Sequence, residues 1–368
     1  MPQKTYLSDK EFLSKYLHLI ELQNGEQKLL LTPDLQGRVL TSTATGDRGY
    51  SFGWLNYDLI ASGKYLPHSN NWGGEDRFWL GPEGGQFSLF FKKGTTFSFE
   101  EWQTPPLIDT ASWEPTAQSS TTASFRKEAC LENCSGTPLS CLLERTVILE
   151  EVREELPAGV RCISFRTENK LTNAGDFEWT TETGMPSIWI LGQFIPSEQN
   201  ILLLPYRPSA QAVINDRYFG RIDAERLKDN GNVLWFTADG KKRGKIGIPP
   251  EMALPVAGAY DALNGTLTIV EFSLPHEPAS YVNSMWEYQQ NPFRGDVLNA
   301  YNDGPLEDGS IMGPFYELES SSPAAALQPG ASVLHIHRTR HYTGPFEALD
   351  SIAREHLFTE LPQPGKLK

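Results

Sequence analysis

Gly313–Gly344, GPFYELESSSPAAALQPGASVLHIHRTRHYTG, holds two runs in which chemical character alternates every second residue. In the first, Glu317 and Glu319 fall on one face, with Tyr316 and Leu318 on the other. In the second, His335, His337, Thr339 and His341 share a face opposite Leu334, Ile336, Arg338 and Arg340. Side chains of a strand point alternately to its two faces, so both runs read as half-buried β-strands. Pro323 and the Pro329-Gly330 pair break the segment between them into a loop and a turn. If that turn is a hairpin tip, Glu319 lies close to His337 across it.

The same period-two pattern extends outward over most of the chain. Candidate strands include Lys28–Thr32, Arg38–Thr43, Ala123–Glu132, Ser140–Glu150, Val160–Leu171, Ser187–Leu191, Asn200–Tyr206 and Thr266–Leu274. Shorter ones are expected at Thr96–Trp102, Phe177–Thr181, Asn232–Ala238, Lys245–Ile248 and Gly258–Leu263. Asn173-Ala-Gly175, Asp229-Asn-Gly231 and Asn264-Gly265 supply turns. Helical spacing is confined to the ends, at Ser8–Leu22 and Pro345–Phe358. Roughly eighteen strands with terminal helices alone predict an all-β antiparallel architecture, too large for an immunoglobulin-size sandwich of about 100 residues. Neither a linker nor a repeat divides residues 1–368, so one large domain is expected, with Thr116–Thr122 as a surface loop.

Composition bounds the function. With 39% hydrophobic and 21% charged residues the chain is globular, and a formal charge of −14 argues against a nucleic-acid partner. Cys130, Cys134, Cys141 and Cys162 lack paired zinc spacing and read as ordinary thiols. MPQKTYLSDKEF contains no apolar targeting core and no run is long enough for a membrane span, which predicts a cytoplasmic protein without a membrane partner. P-loop, dinucleotide, G-x-S-x-G and H-E-x-x-H motifs are absent, and no cofactor is expected. Two histidines at i, i+2 can ligate a metal, but a lone H-x-H is a weak signal and satisfied structural histidines are commoner, so no metal is assigned to His335, His337 and His341.

Three clusters carry candidate chemistry. Trp72–Phe91, WGGEDRFWLGPEGGQFSLFF, reads as strands Arg77–Leu80 and Gln86–Phe91 around a Gly-Pro-Glu-Gly-Gly turn. Its aromatics suit a hairpin core. They also suit a sugar, whose apolar C–H face stacks on a ring while Arg77 and Glu83 bond its hydroxyls beside Trp79. Met285–Pro305 adds Trp286, Asn302 and Asp303 in a long, turn-rich stretch. Glu317 and Glu319 supply the paired carboxylates.

These segments resemble the galactose mutarotase-like (aldose 1-epimerase-like) superfamily. Val160–Trp179, VRCISFRTENKLTNAGDFEW, is similar to its central strand and Asn-containing turn. Tyr316–Tyr342 resembles its C-terminal signature of Leu-Glu, a Pro-containing loop, Leu-x-Pro-Gly and a last strand. GGE-x-RFW-x-GPEGG at Gly73–Gly85 and NDGP at Asn302–Pro305 are similar to a bacterial branch of it. The resemblance implies a large antiparallel β-supersandwich, a small-molecule carbohydrate partner and Glu319 as catalytic base, with Glu317 and His337 as further candidates. It departs where the epimerase histidines belong: neither Thr183–Leu191 nor Trp72–Phe91 contains one. What is expected is therefore a sugar pocket worked by carboxylates. A glycoside hydrolase using two of Glu75, Glu83, Glu317 and Glu319 is one alternative; a non-catalytic sugar-binding or sensing protein is the other.

Overall fold

The computed structural model describes residues 4–153, 155–306 and 309–363. In chain order these form α1 (Tyr6–Leu13), β1 (Ile20–Asn24), β2 (Gln27–Thr32), β3 (Arg38–Thr43), α2 (Tyr57–Ser62), β4 (Arg77–Gly81) and α3 (Pro106–Asp109). Then come β5 (Glu114–Gln118), β6 (Thr122–Glu132), β7 (Pro138–Glu150), β8 (Arg161–Asn173), β9 (Ser187–Phe194), β10 (Asn200–Pro205), β11 (Leu227–Asp229) and β12 (Val233–Thr237). The last are β13 (Gly244–Ile248), β14 (Val256–Asp261), β15 (Thr266–Phe272), β16 (Leu298–Asn302), β17 (Tyr316–Ser321), β18 (Ser332–Thr343) and α4 (Phe346–His356). The fold is all-β, a large antiparallel β-supersandwich of the galactose mutarotase-like kind.

Strand order in the ten-stranded sheet is β11-β12-β10-β14-β15-β18-β8-β7-β6-β5, and in the five-stranded sheet β13-β16-β17-β9-β4; β1-β2-β3 form a third. Alternation decides which face of the five-stranded sheet meets the core. Ile246, Ile248, Leu298, Ala300, Tyr316, Leu318 and Phe194 are buried against Leu202, Leu204, Ala257, Val270 and Phe272 of the ten-stranded sheet. The outer face of that larger sheet is covered by α4, whose Leu349, Ile352 and Ala353 pack on Leu203, Tyr260, Leu267 and Tyr342.

The histidine face of β18 is the buried one. His335 and His337 both contact Ser320 Oγ at 2.8 Å, and His341 bonds Thr268 Oγ1 and Glu75 Oε2, each at 2.8 Å. Burial drives the His335 pKa down to about 3 and also lowers that of His337, so both are neutral core groups. On the solvent side, Arg338 pairs with Glu150 at 2.8 Å and with Glu271 at 3.3 Å.

Several sequence expectations are corrected. β17 and β18 lie in different sheets, so Glu319 does not oppose His337 across a hairpin; Ser320, on the other face of β17, meets it instead. The first helix stops at Leu13, and Ile20–Asn24 pairs with β2 around a tight turn in which Gly25 adopts φ 60°. Asp34 also draws the chain away from helix by accepting the His18 N–H at 2.7 Å. Gln86–Phe91 is not a strand: Ser88 N–H bonds Gly85 O, Leu89 N–H bonds Pro82 O, and Ser88 Oγ takes the Phe90 N–H, so local turns use the ladder groups. Thr96–Trp102 folds into turns for the same reason, with Trp102 N–H on Ser98 O. At Phe177–Thr181, Asn173 Nδ2 holds Phe177 O at 2.8 Å and Trp179 N–H bonds Leu327 O, so no strand forms. Part of the expected loop 116–122 is the exposed edge strand β5.

Candidate functional site

The outward face of the five-stranded sheet carries a row of side chains in register. Arg77 pairs across with Leu191, and Trp79 with Trp189; Glu317 sits between Gln193 and Tyr301, Glu319 between Leu191 and Asn299; Lys245 opposes Tyr301. Every member is offset by one residue from a core-facing neighbour, so one periodicity builds both the core and this polar-aromatic floor. Above it lies a solvent-open pocket with a cavity volume of about 90 Å³. A wider groove beside His18, Asp34, Trp113 and Arg126 gathers no comparable aromatic wall.

The floor is a chain of charge pairs. Arg77 donates to Glu317 Oε1 at 2.5 Å, and Gln193 Nε2 donates to the same oxygen at 3.1 Å while holding Asn71 Oδ1 at 2.6 Å. Glu319 is fully buried; its Oε2 accepts from Trp189 Nε1 at 2.9 Å and from Lys245 Nζ at 3.0 Å, and its Oε1 has no protein partner. Burial raises the Glu317 pKa to about 7 against the pull of Arg77, with Glu319 adding repulsion. Burial works against the Lys245 charge too, but Glu319, Glu83 and Glu317 outweigh it and lift its pKa, so it is an ammonium at neutral pH.

Aromatic rings form the walls. Trp79 and Trp189 meet edge to face at 5.6 Å, the Arg77 guanidinium lies 5.0 Å from the Trp79 ring, and Trp286 stacks with Trp102 at 5.7 Å. Phe99 and Phe219 are exposed at the rim. Glu83, half-buried, reaches the pocket from the turn after β4 and is hydrogen-bonded by the Trp286 side chain. Burial raises its pKa as well, opposed by Lys245. Gly84 makes this approach possible, because a Cβ there would stand 2.3 Å from the Met285 carbonyl oxygen.

Of the sequence candidates, Arg77, Trp79, Glu83, Trp286 and Glu317 line this pocket, while Glu319 is fully buried behind Trp189 and Lys245 of its lining. Asn302 and Asp303 stand behind the lining. Asn302 accepts the Gly240 N–H at 2.9 Å and donates to Lys242 O at 2.8 Å; Asp303 accepts from Tyr301 Oη at 2.8 Å and from the Gly313 N–H at 3.0 Å. They brace the site rather than face it. His337 is displaced from the site altogether, enclosed between the sheets with its Nδ1 on Ser320. Trp72 belongs to the core around Tyr6, Leu13 and Leu55. Glu75 is likewise interior, bonded to His341 and Ser42, and Asp76 forms a fully buried pair with Arg145 at 2.6 Å.

Trp189, Gln193, Lys245, Arg243 and Trp102 were missed. Trp189 and Lys245 had a legible signal, each standing opposite isoleucines in a short strand. Arg243, third in the basic run Lys241-Lys242-Arg243 that follows Asp239-Gly240, lines the pocket as well.

A family model described as a family of unknown function, DUF6786, matches residues 4–364. No curated protein sequence matches the chain. Among solved structures, Slr1438 from Synechocystis sp. PCC 6803 is similar with TM-score 0.55 and 15% identity, covering 89% of this chain and 96% of its own. A galactose mutarotase-like protein from Lactobacillus casei ATCC 334 gives TM-score 0.51 and 12% identity over 88% of this chain and 100% of its own. A putative aldose 1-epimerase from Escherichia coli K12 gives 0.50 and 12%, over 88% and 99%. At these identities the likeness establishes the fold.

Proposed function

We propose, from the premise that the chain belongs to the DUF6786 family and carries a galactose mutarotase-like fold, that it binds a small carbohydrate and acts on it by carboxylate acid/base chemistry. One observation carries the reading: Glu317 meets Trp79, Trp189 and Trp286 at one pocket, and Glu319 of the same strand lies buried directly behind Trp189 and Lys245 of its lining. Flat rings take the apolar face of a pyranose, while ionic groups take its hydroxyls.

The two carboxylates divide the work by environment. Glu319 is held by Lys245 and Trp189 beneath the lining, and its buried, unpartnered Oε1 would accept a substrate hydroxyl proton only where those side chains part. Glu317, with its pKa raised to about 7, exchanges a proton near neutral pH, as an efficient acid/base group must. Lys245 keeps positive charge beside both. In a ring-opening reaction one group accepts the anomeric hydroxyl proton and the other protonates the ring oxygen. The reverse sequence recloses the ring with either configuration.

Hydrolysis of a glycoside by the same pair is the second version. A two-residue step along a strand sets the two Cα atoms about 7 Å apart, a spacing from which the roughly 6.5–9.5 Å between carboxyls of inverting glycosidases can be reached. Proton NMR of the protein with fresh sugar anomers and with aryl glycosides tests both versions. Accelerated anomer exchange or glycoside cleavage is expected, lost in Glu319→Gln and Glu317→Gln. Turnover that survives in both folded variants removes the carboxylates from the chemistry.

A further inference from the structure

Three cations line the pocket, and two of them are neutralised by the protein. Arg77 is paired with Glu317, and Lys245 with Glu319. Arg243 differs: among the described residues no carboxylate lies within ion-pair distance of it. Among the described residues its one side-chain hydrogen bond runs from Nε to Tyr301 Oη at 3.1 Å, and the guanidinium sits 3.7 Å from the centre of the Phe219 ring. Among the described residues, neither terminal nitrogen has a protein acceptor within hydrogen-bond distance.

An arginine meant only for solvent needs no support, yet this one is braced from several directions. Tyr301 can accept from Nε because its own proton goes to Asp303 at 2.8 Å. Asn302 fixes the supporting turn through Gly240 and Lys242, and Gly304 packs so closely that a Cβ there would lie 2.6 Å from the Arg243 backbone nitrogen. Phe219 holds the plane of the guanidinium. The ordering cost of a long side chain is thus met before any ligand arrives. Nε is used and the terminal nitrogens are free, the fork that binds a carboxylate or phosphate through two parallel bonds. Glu83, the remaining carboxyl in the wall, is occupied by Trp286 and has its pKa raised by burial, so it is a weak internal counter-charge.

The geometry points to a saccharide that carries an anionic group, a carboxylate or a phosphate, held by Arg243 while the ring lies over Glu317 and Glu319. This inference rests on the carbohydrate reading of the pocket and narrows its substrate class.

Calorimetric titration tests it with glucose, galactose, glucuronate, galacturonate, glucose 6-phosphate and galactose 6-phosphate against wild type, Arg243→Gln and Arg243→Lys. At least one anionic probe should bind wild type about 10- to 100-fold more tightly than its neutral parent, the range of charge-assisted hydrogen bonds. That ratio should fall to near one in Arg243→Gln and recover in part in Arg243→Lys, which keeps the charge but loses the fork. The uronate and phosphate arms identify which anion is meant. Neutral hexoses bound as tightly as every anionic probe, or a ratio unchanged in Arg243→Gln, would overturn this inference and leave the carbohydrate site standing. Binding of no probe at all would overturn both. Far-ultraviolet circular dichroism and thermal melting establish that each variant is folded, and Arg243→Lys carries the test if Arg243→Gln is not.

Discussion

Replacing Lys245 by Met removes an ammonium from beneath the pocket while keeping a stem that still packs beside Trp189. The consequence can be worked from the partner. Glu319 is fully buried, its Oε2 is shared by Lys245 at 3.0 Å and Trp189 Nε1 at 2.9 Å, and its Oε1 has no protein partner. Without Lys245, one neutral donor faces a buried carboxylate. Breaking a buried pair by removing one partner costs about 3–5 kcal/mol. The pocket admits solvent on one side, so a loss at the lower end, about 3 kcal/mol, is expected. Urea denaturation followed by tryptophan fluorescence measures it. The double variant Lys245→Met/Glu319→Gln should recover about 2 kcal/mol relative to the sum of the single losses, because it strands no charge. A single-variant loss under about 1 kcal/mol, the scale of a surface ion pair, would refute the reasoning.

Trp72→Ala should cost about 3–5 kcal/mol of stability as a core truncation, with ligand affinity retained; Trp79→Ala should lose both stability and affinity. Denaturation and titration of the two variants side by side check this. Glu317 has its folded pKa raised from 4.5 to about 7, so its contribution to stability is fully present below pH 4.5 and lost as pH rises through 7. Glu317→Gln should flatten the fall in unfolding free energy over that window, and an unchanged slope would contradict the assignment. Glu319→Gln should fold but lower turnover by about 10²–10⁴-fold, measured by the NMR assay of anomer exchange or glycoside cleavage.

Alternation is a local property, and what depended on it was legible in the sequence. Faces of β17 and β18 were read correctly, as was the pairing of Glu317 with Glu319 on one side. What alternation cannot encode is which face is buried or which strands become neighbours. The His335–His341 face offered a metal site or satisfied structural histidines, and serine and threonine hydroxyls from elsewhere in the chain make it the second, a satisfied interior. Glu319 and His337 were brought together on the assumption of a hairpin, whereas their strands joined different sheets. Arg243 was hidden for a related reason. Three consecutive basic residues read as a solvated tip, and only the tertiary contacts of Asn302, Gly304 and Phe219 turn the third of them inward. Asn302 and Asp303 drew notice as a sharp polar turn, and their role proved to be holding that tip.

The most direct measurement is calorimetric titration of wild type and Trp286→Ala with the neutral and anionic saccharide panel. Trp286 joins the aromatic wall to Glu83 at the mouth of the pocket and is only partly buried. Saturable binding of at least one saccharide to wild type, weakened about tenfold or more in folded Trp286→Ala, is the predicted result. Absence of binding across the panel, or equal affinity in the two proteins, would contradict the claim that this pocket is a carbohydrate site.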